Sequence, residues 1–374
     1  RTVTVDEALD DLVVWGHRPL APVTLDPGDV DRLVEAARAD RLVGVLAAAV
    51  DAGFVELPPG AARTVRTAHR EALSAVLALD ELLVAVADAL DAVGIEHRLL
   101  KGAALAHLAH RRPADRLWGD LDVLVPAPDL DRAVDALAGL GITRRLPPLR
   151  AGYDRRFAKA VTLVDPDGRE VDLHRTPAVG PYGLVADPAV WFAAPASSVD
   201  LGPRRVTTLD ATGHLVAAAV HLALGDVTPR RGHRRDLLGL LGHRSLDPDA
   251  ARSLADAAGL TVPFAAGVTA VADLLPDAGD GPAGGEPAHG ATPAGRALVD
   301  WARTVEPTRR DRRLLAAYRS RSGRFGRQVR ASLGVLSRRD RLAFVAAIVW
   351  PDRANLAARG LDRRRHLRRL LRGR

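Results

Sequence analysis

Residues 99–125 read LLKGAALAHLAHRRPADRLWGDLDVLV, and the organisation of the chain follows from them. A short apolar run ends in Lys101-Gly102. A small-residue helix is expected from about Ala103 to His110, then a basic loop with Arg111, Arg112 and Arg116, then a strand over Gly119–Val125. Asp120 and Asp122 are two residues apart, so in a strand both carboxylates leave the same face, while Leu121, Val123 and Val125 leave the other. Two like charges side by side in an otherwise apolar strand are costly unless a cation lies between them, and a divalent metal is the economical candidate.

A third carboxylate has a matching setting. Arg169–His174 reads as a short strand, Lys159–Val164 as another, and Asp165-Pro166-Asp167-Gly168 between them has turn chemistry. The hairpin over 157–174 would place Asp172 beside Asp120 and Asp122. Three clustered carboxylates can hold two Mg²⁺ ions when a triphosphate supplies further ligands. His174, two residues after Asp172, shares its face.

A glycine turn opening a helix, an Asp-x-Asp strand and a third Asp on a neighbouring strand resemble the polymerase-beta-type nucleotidyltransferases. Leu100-Lys101-Gly102-Ala103-Ala104, Arg116-Leu117-Trp118-Gly119-Asp120-Leu121-Asp122-Val123-Leu124-Val125 and Val171-Asp172-Leu173-His174 are similar to one branch of them, the uncharacterised nucleotidyltransferase family. The resemblance is specific over residues 95–175. It implies an α+β fold, a polymerase-beta-like core of small mixed sheet and helices flanked by helical regions. It implies transfer of an NMP group from an NTP to a hydroxyl acceptor with release of pyrophosphate, using Mg²⁺ or Mn²⁺. Asp120, Asp122 and Asp172 would be the catalytic metal ligands, with Asp172 helping to deprotonate the acceptor. Lys101, Gly102, Ala103, Arg116 and Gly119 would bind the nucleotide. The usual Gly-Ser or Gly-Gly turn is Gly102-Ala103 here, which leaves backbone N–H groups but no hydroxyl for the phosphates.

His214 and His221, seven residues apart, share a helical face, and Asp236 follows in Arg234-Arg235-Asp236-Leu237-Leu238. A similar element accompanies the catalytic domain of the resembled family, so His174, His221 and Asp236 are expected to touch substrate or support the carboxylates. A zinc site from His214, His221 and Asp236 fits by ligand type, but the spacing matches no sharp metal motif.

The chain has 374 residues, enough for two or three domains. The expected division is a helical region over 1–93, the catalytic core over 94–205, a helical pocket region over 206–273, a Gly/Pro-rich linker over 274–295 and a basic helical region over 296–374. In the first region helices are expected over about 30–50 and 61–93, with no chemical motif, and Asp80 and Glu81 are read as surface residues. Asp129–Leu140 should be a helix stopped by Gly141, and the helix after 296 should break near Pro307. Cysteine is absent, which excludes disulfides and thiolate chemistry and is compatible with the cytoplasm. No 18-residue apolar stretch is free of charge, so no membrane span is expected. The first residues do not form a signal peptide, and the lack of methionine at position 1 implies a start upstream of the numbered chain.

Charge is distributed unevenly. Residues 301–374 hold 22 arginines against 5 acidic residues, while residues 1–300 hold 31 basic against 41 acidic. The basic segment suits contact with a polyanion, or a solvated helical surface. The acceptor is left open between a small molecule, RNA and a protein. Two other readings stand beside transfer: a metal-dependent phosphohydrolase using the same carboxylates, and a non-catalytic nucleic-acid-binding or scaffold protein.

Overall fold

The alternation of apolar and polar residues over 160–174 becomes a β-hairpin in the computed structural model, which describes residues 1–202, 204–225, 228–275, 292–318 and 324–371. The strands are β1 Val23–Thr24, β2 Val55–Glu56, β3 Arg98–Leu100, β4 Asp120–Leu124, β5 Thr143–Arg144, β6 Ala160–Val164, β7 Glu170–His174, β8 Ala196–Asp200 and β9 Arg205–Leu209. β1 and β2 form a small parallel pair, and the other seven form one mixed sheet in the order β5-β6-β7-β4-β3-β9-β8.

Leu163, Val171, Leu173, Leu121 and Val123 fill one face of the sheet and are buried. The hairpin turn closes because Gly168 takes a φ of 83° and the Asp165 carboxylate accepts from the amides of Asp167 at 3.0 Å and Arg169 at 2.7 Å. β9 pairs with β3 in parallel, so the sheet runs past residue 205, where the sequence reading ended the core. A single apolar core extends from Val3 to Tyr318 and joins the helical regions to the sheet.

The long N-terminal helix is Pro59–Ala92, started by proline in its first turn. Among its apolar residues Val76, Leu83, Val86 and Leu90 are buried, whereas Leu77 is 57% exposed. The helix expected over about 30–50 is two helices, Val30–Ala39 and Val43–Asp51. Arg41 separates them with a φ of 63°, a left-handed backbone that no helix can continue through. Beyond the sheet lie the helices Ala211–Leu224 and Arg231–Leu241. The expected linker falls almost wholly on residues 276–291, outside the described residues. The break near Pro307 separates Pro293–Thr304 from Arg309–Ala316.

In the basic C-terminal region, Phe344 and Ile348 form a second small core with Leu336. Arg363 stacks over the Trp350 ring at 3.7 Å, and a His366 ring nitrogen lies 2.9 Å from the Ile348 carbonyl oxygen. These two basic residues are engaged within the chain. No helix among the described residues is long and apolar enough to cross a membrane.

Candidate metal and nucleotide site

Strand register builds the site. β4 and β7 pair in parallel with Asp122 opposite Asp172, β6 sets Thr162 opposite Asp172, and β3 sets Leu100 opposite Asp122. Asp172 and Asp122 therefore sit side by side on one face, about 4.8 Å apart at the backbone as neighbouring strands require. Thr162 donates its hydroxyl proton to Asp172 Oδ1 at 2.6 Å. His174 Nε2 lies 2.6 Å from Asp122 Oδ1, and Lys101 Nζ contacts the same oxygen.

Asp122, Asp172 and His174 each bring a donor atom within 4.8 Å of the other two, so they could hold a metal ion. Asp120 stands outside that group. It lies at the entrance of β4 opposite Glu170, one pleat from Asp122, or about 6.7 Å. The imidazole of His174 reaches back across such a distance, whereas an aspartate side chain is shorter.

The charges around these residues differ. Burial pushes Asp122 up, but the Lys101 charge and the bonds from His174 and Lys101 outweigh it and hold the carboxyl far below the usual range. Burial and the Asp122 charge push Asp120 up, against Lys101 and Arg41. Burial opposes the Lys101 charge, yet the carboxylates of Asp122, Asp120 and Asp172 keep it raised. Burial and the Lys101 charge push His174 down, so its imidazole is neutral and Nε2–H donates to Asp122. His174 would have to yield that proton to ligate a metal through Nε2.

The turn before the helix Lys101–Leu108 works differently from expectation. The left-handed residue is Lys101 itself, with φ 48°, and this backbone accompanies the ammonium's placement at Asp122. Gly102 is required by packing. A Cβ there would lie 2.4 Å from Trp118 Cβ, well inside van der Waals contact. Ala103 is buried behind it, and the N–H groups of the first helical turn lack intrahelical acceptors. Gly102→Val should therefore cost about 3 kcal/mol or more of stability through overpacking, seen as a lower urea midpoint. Loss of nucleotide binding in that variant would not isolate a phosphate contact. An unchanged midpoint would refute the packing role.

Arg116 and Asp236 are not placed at the carboxylates as substrate contacts. They pair with each other, Arg116 Nε to Asp236 Oδ1 at 2.8 Å and Nη2 to Oδ2 at 2.9 Å, and His110 Nε2 lies 2.8 Å from the same carboxylate. All three are buried. A fully donated guanidinium fork on a buried carboxylate satisfies both charges, so neither is left to reach a phosphate. The pair ties the helix Arg231–Leu241 to the loop that delivers Gly119 and Asp120.

The expected zinc set does not assemble, because its members have separate partners. His214 Nε2 lies 2.7 Å from the Thr208 hydroxyl, and Asp236 is held by Arg116. His221 stacks edge-on against His233 at 4.9 Å, and burial with the charges of Lys159 and Lys101 pushes it well down.

Two cations at the site carry no local sequence signal. Arg41 lies over Gly119, where a Cβ would be 3.0 Å from its Nη1, and it interacts electrostatically with Asp120. It arrives from the helical region that showed no motif. Lys159, just before β6, is pushed down to about 8 by burial and by Lys101, against the three aspartates.

A family profile described as "Uncharacterised nucleotidyltransferase" matches residues 26–276, more than half of the chain. The chain belongs to that family. The chain is also similar to a solved structure, an antigenic nucleotidyltransferase-like protein from Paracoccidioides brasiliensis, with 15% identity, 50% of this chain and 92% of that chain covered, and a TM-score of 0.29. No curated protein matches. The profile match begins at residue 26 and so takes in Arg41.

Proposed function

We propose that the protein transfers an NMP group from an NTP to a hydroxyl acceptor, releasing pyrophosphate, with Mg²⁺ or Mn²⁺ as cofactor. The observation that carries this is the parallel register setting Asp122 opposite Asp172, with donor atoms of both and of His174 within 4.8 Å.

The donor set fits the group. Carboxylates suit Mg²⁺, the added imidazole suits Mn²⁺ as well, and no soft ligand is present. Asp120, Asp122 and Asp172 would hold the ions, with His174 beside them. The bound metal would supply positive charge to the phosphates and acidify the acceptor hydroxyl. Asp172 would accept the acceptor's proton, its other oxygen being steadied by Thr162. Lys101 would orient the triphosphate together with the amides of Gly102 and Ala103. Arg41, over Gly119 and next to Asp120, takes the place given to Arg116 by the sequence.

Incubating the protein with Mg²⁺, each α-³²P-labelled NTP and a host-cell extract tests this. Label should enter an acceptor with one NTP preferred, and γ-labelled NTP should yield labelled pyrophosphate. NTP consumption with labelled monophosphate and no adduct would replace transfer by hydrolysis. No consumption with any NTP would favour a non-catalytic binding protein.

A further inference from the structure

The helices Arg309–Ala316 and Arg324–Val335 each carry a stripe that begins with two arginines and continues into small or apolar residues. Arg310, Arg313, Leu314 and Ala317 recur at helical spacing on one, and Arg327, Arg330, Ala331, Gly334 and Val335 on the other. These stripes line a cleft of about 450 Å³. Its small residues keep it open: a Cβ added at Gly334 would meet nothing within 4 Å. The cleft lies beyond residues 26–276, which the family profile matches.

Four guanidiniums line the cleft and no carboxylate does. Arg310, Arg313 and Arg330 are exposed, so a ligand reaches them, and among the described residues they meet no acidic partner. Like charges gathered over an apolar floor call for an anion with an apolar body. A row of phosphates meets the first requirement and unstacked bases the second. A duplex keeps its base faces inside, whereas a single strand presents phosphates and base faces together, and bases stack on guanidinium planes. The cleft is also tied to the carboxylate strand. The Tyr318 hydroxyl, next to Ala317, donates to the Val179 carbonyl oxygen and accepts from the Tyr182 amide at 3.2 Å. Val179 follows His174 of β7 by only five residues, which span at most about 18 Å.

We propose that this cleft binds single-stranded nucleic acid, with phosphates on the arginines and bases on the apolar floor. That such a strand serves as the acceptor rests on the transfer reading above; its binding does not.

Fluorescein-labelled uridylate and thymidylate strands of about ten nucleotides, titrated without NTP or metal, separate RNA from DNA and keep the result independent of transfer. At least one should bind saturably, at about 10 µM or tighter in about 0.1 M salt. Log affinity should fall with log salt at a slope of about −3, from four phosphate contacts at about 0.7 each. Arg313→Gln combined with Arg330→Gln should weaken binding about tenfold or more and roughly halve that slope. Arg364→Gln combined with Arg368→Gln removes the same charge from exposed positions of the helix Arg363–Leu371, outside the cleft, and should change affinity less than about threefold. An abasic strand and polyglutamate of equal charge, which lack bases, should bind about tenfold more weakly. Gly334→Leu fills the floor without altering charge and should weaken the strands but not the abasic one. Equal weakening by the two arginine pairs, equal binding of the abasic strand or polyglutamate, unchanged affinity in Gly334→Leu, or no saturation by about 100 µM would overturn the proposal.

Discussion

Asp122→Asn should lower nucleotidyl transfer by about a thousandfold or more, since the loss of one metal-holding carboxylate removes several kcal/mol of transition-state stabilisation. Asp120→Asn should also impair transfer, but the two variants should move stability in opposite directions. Asp122 is 3% exposed and bonded to Lys101 and His174. Its neutral replacement leaves the Lys101 ammonium without its partner. Because the Lys101 side chain is 27% exposed and can turn to water, the cost is about 1–3 kcal/mol.

The carboxyl of Asp122 is held below its unfolded value. Its contribution is therefore present above about pH 4 and lost as the pH falls toward the depressed folded value. The gap between wild type and Asp122→Asn should be widest near neutrality and close in acid. Asp120 is held above its unfolded value. The stability linked to its protonated form is full below about pH 4 and lost as pH rises through the raised folded value. Asp120→Asn should thus be more stable than wild type at neutral pH, by about 1 kcal/mol or less. Urea melts across pH measure both. Equal stability of the two variants at pH 7 would contradict the arrangement of charges around β4.

The largest stability loss should follow Asp236→Ala. It strands the Arg116 guanidinium in the interior with His110 as its neighbour, and breaking one side of a buried pair costs about 3–5 kcal/mol. Asp236 is held far below the ordinary range: burial raises it, but the Arg116 charge and the His110 and Arg116 bonds win. The loss should therefore appear above about pH 4 and fade in acid. Arg116→Met combined with Asp236→Leu should recover much of it, because no buried charge remains. A urea midpoint for Asp236→Ala equal to wild type would refute the structural role of the pair. Mn²⁺ binding to Asp236→Ala, followed without nucleotide, would report whether the loop carrying Gly119 and Asp120 has shifted.

The faces of β4, β6 and β7 were legible in the sequence because side-chain direction in a strand has a period of two, a purely local property. That period put Asp120 and Asp122 on one face and Asp172 and His174 on another strand's face. The Asp165–Gly168 turn was equally local, since one glycine and the Asp165 carboxylate satisfy its backbone. The motifs over 95–175 also carried the family, which the profile match bears out.

What tertiary structure decided is which local pieces meet. The parallel register of β4 on β7 joins residues 50 apart in sequence, and no local pattern states a register between distant strands. Arg116 reads as a phosphate ligand while only its neighbours are known. In the fold it meets Asp236, 120 residues away, because two buried charges must satisfy each other once the helix Arg231–Leu241 packs there. Arg41, on the turn between two helices, is the arginine that lies over Gly119 beside Asp120. Gly102 looked like a phosphate turn, and it is glycine because Trp118 leaves no room for a Cβ. Periodicity and turn chemistry act over a few residues and are written in the sequence, whereas ion-pair partners and close packing are chosen by which surfaces the whole chain brings together.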